Sequence, residues 1–148
     1  MIREGQTFWL DINIKNGVGV YAVPINLVYP TASLEVVKLA NGKPEVVVGN
    51  FLGSNYSLVA NFENDLPGKL VIGYSLVGNE PTKDGNGLLC SVKMKRIKNE
   101  ETAVIFSANS KVLNENIQPV TSEFQDFVLE VSQDQKQNVI YITVRNIL

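Results

Sequence analysis

With 148 residues, 45% hydrophobic and 19% charged, the chain is long enough to bury roughly 70% of its extended surface in one domain, and too apolar for a disordered segment. Its formal charge of −2 offers no basic field for a phosphate backbone, which argues against a nucleic-acid partner. Without histidine, and with Cys90 as its single cysteine, it lacks the commonest general base and metal ligand and cannot form an internal disulfide.

No run approaches the roughly 18 apolar residues of a helical membrane span, so no membrane insertion is expected in this segment. Met1-Ile2-Arg3-Glu4-Gly5 lacks the apolar stretch of a signal peptide. Because a strand pattern begins almost at once, the chain reads as a piece of a larger protein.

Period-two alternation, the mark of half-buried strands, runs along most of the sequence. Phe8, Leu10, Ile12 and Ile14 share one face, and Trp9, Asp11, Asn13 and Lys15 the other. An Asn16-Gly17 turn leads to Tyr21, Val23, Ile25, Leu27 and Tyr29 in the same rhythm. Pro24 inside that run forfeits a ladder bond, so a bulge or local interruption is expected there. Strand-like runs follow at 34–39 and 46–48, joined by the Asn41-Gly42 hairpin signal. Tyr56, Leu58, Ala60 and Phe62 alternate, and after Pro67-Gly68 so do Leu70, Ile72, Tyr74 and Leu76. Gly85-Asn86-Gly87 then launches a run in which Leu88, Cys90, Val92 and Met94 alternate with Leu89, Ser91, Lys93 and Lys95. Shorter runs at 102–108, 124–131 and 139–144 complete the set. Apolar residues nowhere recur at helical spacing over a dozen positions, and one helical turn near 79–84 is the most the pattern allows. The expected architecture is all-β: an antiparallel sandwich of about nine strands in a single domain, 1–148.

Few residues could carry chemistry. Asp84-Gly85-Asn86-Gly87 resembles the opening of a calcium loop, but the EF-hand positions for the turn glycine and the bidentate acid fall on Leu89 and Lys95. The stretch reads as a glycine turn launching a strand, and no metal or cofactor is expected. Cys90 shares parity with Val92 and Met94 and reads as a buried core thiol; as a nucleophile it would need a base that histidine cannot supply here. The 15 acids are scattered, so no catalytic residue is assigned and no enzyme is expected. Trp9 fits two readings: a sugar-stacking platform with exposed aromatic companions, or packing under the C-terminal segment. Asn55-Tyr56-Ser57 matches the N-glycosylation triplet, which also arises by chance.

Several stretches, taken in order, resemble the cohesin family. They are the opening strand Gly5-Gln6-Thr7-Phe8, then Val20-Tyr21-Ala22 running to Tyr29-Pro30 and on through Thr31-Ala32-Ser33 to Leu34-Glu35-Val36. Gly49-Asn50-Phe51-Leu52 and Thr82-Lys83-Asp84-Gly85-Asn86-Gly87-Leu88-Leu89 follow. The resemblance covers residues 5–131. It implies a jelly-roll β-sandwich, related in architecture to carbohydrate-binding modules, within an extracellular or cell-surface protein. It further implies a non-catalytic module that binds a dockerin, a small helical domain carrying its own calcium, through one flat sheet face. That face would draw on residues 20–28, 57–63, 69–77 and 102–108, with Asn26, Asn61, Glu63, Tyr74, Ser75 and Asn79 as the expected polar contacts.

The sequence also departs from the family pattern. Tyr29-Pro30-Thr31 stands where cohesins usually have Tyr-Asp-Pro, and Ala22 and Pro24 align with a polar pair that many use for docking. The family's first edge strand is missing, while 132–148 forms a C-terminal strand extension beyond its usual last strand. Residues 139–145 are expected to fold back as a hairpin on 124–131 and cover the vacated edge, since a bare edge invites aggregation. The alternative reading is a carbohydrate-binding or structural module of a cell-surface or secretion-associated protein. A polysaccharide partner would call on Trp9, Tyr56, Tyr74 and Tyr141.

Overall fold

The computed structural model describes residues 2–126 and 138–146. The described residues form ten strands: β1 (Thr7–Val20), β2 (Ala22–Val28), β3 (Leu34–Val36), β4 (Val46–Val48), β5 (Tyr56–Phe62), β6 (Lys69–Leu76), β7 (Lys83–Arg96), β8 (Ile105–Phe106), β9 (Glu123–Phe124) and β10 (Val139–Asn146). One 3-10 turn, Glu63–Asp65, follows β5, and the turn allowed near 79–84 is not helical.

The strands form two layers. The larger sheet runs β3-β7-β1-β10-β9, with β4 also paired to β7; the smaller runs β5-β6-β2-β8. Alternation puts Phe8, Leu10, Ile12 and Ile14 of β1 and Cys90, Val92 and Met94 of β7 against Val23, Ile25 and Leu27 of β2 and Leu70, Ile72, Tyr74 and Leu76 of β6, in one buried core. Each large aliphatic side chain there contributes about 1.5–3 kcal/mol.

Strict alternation breaks in β7. Ile12 pairs with Cys90 but Asn13 with Leu88, so Leu89 is an extra residue, and both Leu89 and Cys90 are buried although parity alone places Leu89 outside. Asn16-Gly17 does not reverse the chain either. Asn16 takes a φ of 58°, β1 runs on to Val20 with shifted register, and a Cβ on Gly17 would stand 3.1 Å from the Gly85 carbonyl oxygen. The pair makes an irregularity in a long strand where β1 and β7 run close together.

Pro24 is tolerated for a legible reason. β2 pairs with β6 without interruption, Pro24 standing opposite Gly73, while the Pro24 carbonyl accepts from the Lys111 N–H at 3.0 Å on the other side. The missing N–H thus faces residues 107–113, where β8 has already ended and the ladder is irregular. The expected interruption lies in the neighbour of β2, not in β2 itself.

The C-terminal strand differs from expectation. β10 pairs antiparallel with β1, from Phe8↔Asn146 to Lys15↔Val139, and parallel with β9 through Val139↔Glu123 and Ile140↔Phe124. A hairpin on 124–131 would require the opposite direction. The edge of β1 offers an eight-residue ladder that buries Ile140 and Ile142, far more than two residues of β9 can offer. The rest of the expected 124–131 strand lies outside the described residues.

Candidate partner-docking face

The outer face of the smaller sheet is built in rows. Antiparallel register aligns Ser57 with Ser75 and Ala22, Val59 with Gly73 and Pro24, and Asn61 with Val71 and Asn26. Val28 lies between Lys69 and Ile105 in the next row. Val59 is 56% exposed, Val77 and Ile105 45% each, and Val28 36%. Gly73 contributes no side chain at the centre, so the face is level, mostly uncharged and partly apolar. Ala22, outward by parity, is covered: it bridges to Leu113, and residues 107–113 flank β2.

Of the expected contact residues, Asn26 and Asn61 flank Val71 in one row. The Asn61 Oδ1 accepts from Lys43 Nζ at 2.5 Å. Glu63 follows in the 3-10 turn, 3.7 Å from Lys69 Nζ in an exposed ion pair. Asn26, Glu63 and Lys69 line a shallow depression with Val28, Val71, Ser107 and Asn109. Ser75 lies two rows away, its hydroxyl donating to the Leu76 carbonyl at 2.5 Å, and Asn79 is exposed in the turn after β6.

Tyr74 does not belong to this group. It is 1% exposed, on the inner face; its hydroxyl accepts from the Leu52 N–H at 3.1 Å and donates to the Gly49 carbonyl at 3.3 Å. Burial pushes its phenol above the ordinary value. Alternation, which turns Tyr74 inward beside Leu70, Ile72 and Leu76, prevails over its place in the implied contact set. Ile105 is the surface residue not picked out individually, although Val104 and Phe106 buried on either side of it are the signal that turns it outward.

The four aromatics weighed for sugar stacking do not assemble. Tyr56 and Tyr74 pack edge to face at 5.9 Å. Trp9 is on the outer face of the other sheet, with Lys93 Nζ 5.8 Å and the Arg145 guanidinium 6.0 Å from its ring centroid. β10 therefore lies beside Trp9 and not over it. Tyr141, opposite Asn13, is on that sheet as well. Asp84-Gly85-Asn86-Gly87 is not a turn ahead of the strand but the opening of β7 itself, paired irregularly with β1; its role is structural, Asp84 Oδ1 accepting from the Gly19 N–H at 2.6 Å and fastening the end of β1. Among the described residues no cluster of three or more acids or cysteines is arranged for a metal ion.

No protein-family model matches the sequence, and none of the curated proteins matches it. Solved structures do. A type II cohesin domain from the cellulosome of Acetivibrio cellulolyticus superposes with a TM-score of 0.67 at 21% identity, over 95% of this chain and 86% of that one. The chain has the cohesin fold. A non-cellulosomal cohesin from the hyperthermophilic archaeon Archaeoglobus fulgidus gives 0.63 at 16% identity, over 95% and 83% of the two chains. A type II cohesin-X-dockerin complex from A. cellulolyticus gives 0.69 at 15%, over 95% and 89%. The fold is thus shared at identities of 15% to 21%.

Proposed function

We propose that this domain is a non-catalytic recognition module that docks a dockerin-type helical partner on the outer face of β5-β6-β2-β8, as part of a secreted or cell-surface protein. The observation that carries the reading is the level Val59-Gly73-Pro24 row, flanked by Asn61, Asn26, Ser57 and Ser75 and bordered by exposed Val28, Val77 and Ile105. A face of this kind gains affinity from apolar burial at its centre and orientation from a polar surround. Ala22 and Pro24 offer no side-chain hydrogen bond, so Asn26, Asn61, Ser75, Asn79 and the Glu63–Lys69 pair supply the polar contacts.

The test is titration of the domain against a panel of purified calcium-loaded dockerins, with a glycan array alongside. A Cβ on Gly73 meets only the Val59 carbonyl oxygen, at 4.0 Å, so Gly73→Arg raises a long side chain from the middle of the face without disturbing the fold. Binding that is lost with chelator and with Gly73→Arg supports the reading. Binding to glycans alone, or dockerin binding indifferent to Gly73→Arg, defeats it.

A further inference from the structure

Among the described residues β5 is an edge strand, paired with β6 on one side only. The Leu76 N–H donates to Tyr21 and the Val77 N–H to Asn55, which sets the phase of the ladder. Odd-numbered residues of β5 bond to β6, so Tyr56, Leu58, Ala60 and Phe62 turn their N–H and C=O groups to the open side. The strand reads Tyr-Ser-Leu-Val-Ala-Asn-Phe, with no charge and no proline, the composition that leaves an edge free to pair. Leu58 and Ala60 pack on the core but are only partly buried, so the sandwich flank is apolar where β5 ends it.

The two ends of this edge differ. At one end Lys43 Nζ holds Asn61 Oδ1 at 2.5 Å and Lys38 Nζ lies 5.5 Å from the Phe62 ring centroid, closing over the last rung. At the other end Asn55 Nδ2 donates to Glu80 Oε1 at 2.6 Å. A two-fold antiparallel pairing centred on Leu58 uses the open rungs alone: Leu58 against Leu58 of a second copy, and Tyr56 against its Ala60. That register sets Asn61 directly opposite Asn55 of the other copy, bringing the Lys43 cation to the Glu80 carboxylate twice, once on each side of the axis.

We propose that β5 pairs antiparallel with β5 of a second copy of this chain, joining two smaller sheets into one continuous sheet. The proposal rests on the edge of the sheet and not on the docking face. Sedimentation equilibrium across a dilution series yields a dimer for the unaltered chain, and amide exchange at Leu58 and Ala60 slows as concentration rises. Lys43→Glu weakens the dimer about tenfold, since the like-charge contact occurs twice, and adding Glu80→Lys restores it. Gly73→Arg leaves the dimer intact, which separates this result from that of the docking test. A chain monomeric to its solubility limit, a dimer indifferent to Lys43→Glu, or a double variant no better than the single one overturns the proposal.

Discussion

Arg145 on β10 clasps the carboxylate of Asp11 on β1. Its Nε bonds Oδ2 and its Nη2 donates to Oδ1 at 2.7 Å, while the Ser91 hydroxyl from β7 donates to the same Oδ1 at 2.6 Å. Three strands of the larger sheet are tied at one carboxylate. Arg145 is half-exposed and Asp11 nearly buried, so the partners are unequal. Arg145→Ala strands a largely desolvated anion and is expected to cost about 1–3 kcal/mol, the partial exposure of Arg145 keeping it below the full cost of a broken buried pair. Arg145→Lys recovers part of this, since a point charge cannot reproduce the two-pronged contact. Urea unfolding of the three proteins measures the difference.

Burial pushes the Cys90 thiol up to about 12 from an ordinary 9.0, with the Asp11 charge adding to the effect. Above pH 9 the unfolded chain ionises this thiol while the folded chain keeps it protonated. Its contribution to stability is therefore full below pH 9 and falls toward pH 12, by about 1.4 kcal/mol per pH unit. Unfolding free energies measured along that range show the slope in the unaltered protein and its loss in Cys90→Ala. Tyr29 and Tyr74, both raised by burial from 10.0, retain a further slope above pH 10 in either protein.

Two glycines respond oppositely to alanine. A Cβ on Gly49 would lie 2.0 Å from the Leu88 carbonyl oxygen, a backbone atom that cannot move aside without shifting β7. Gly49→Ala is expected to cost more than about 3 kcal/mol or to prevent folding, whereas Gly73→Ala stays within about 0.5 kcal/mol. Thermal denaturation of the pair tests this.

Tyr74→Phe separates core from contact surface. Removing the hydroxyl leaves the Leu52 N–H without its acceptor and should lower stability by about 1–3 kcal/mol. Affinity for a dockerin partner is expected to remain unchanged, while Asn26→Ala and Asn61→Ala reduce it. Denaturation and titration on the same three variants provide the two readouts.

The alternation of Phe8, Leu10, Ile12 and Ile14, and of Leu70, Ile72, Tyr74 and Leu76, made the two-layer architecture legible, because a half-buried strand can satisfy that pattern in only one way. The same parity turns Val59 and Ser75 outward and Tyr74 inward, and the implied contact set errs at Tyr74 by overriding it. What alternation cannot carry is pairing over long separation. Nothing local to Asp11 announces Arg145, and nothing near Glu123 announces a parallel neighbour at Val139. The Leu89 bulge escaped for a related reason: an extra residue changes phase without changing composition.

β1 finds both of its neighbours, β7 and β10, in the second half of the chain. Its hydrogen bonds cannot form by zipping outward from a nearby turn, and a long loop must close before any of them does. Chains wired this way fold over about milliseconds to seconds, with the opening strand waiting for its closing ones. Residues 138–146 thus complete the larger layer, and trimming them would leave one whole side of β1 without its ladder partner.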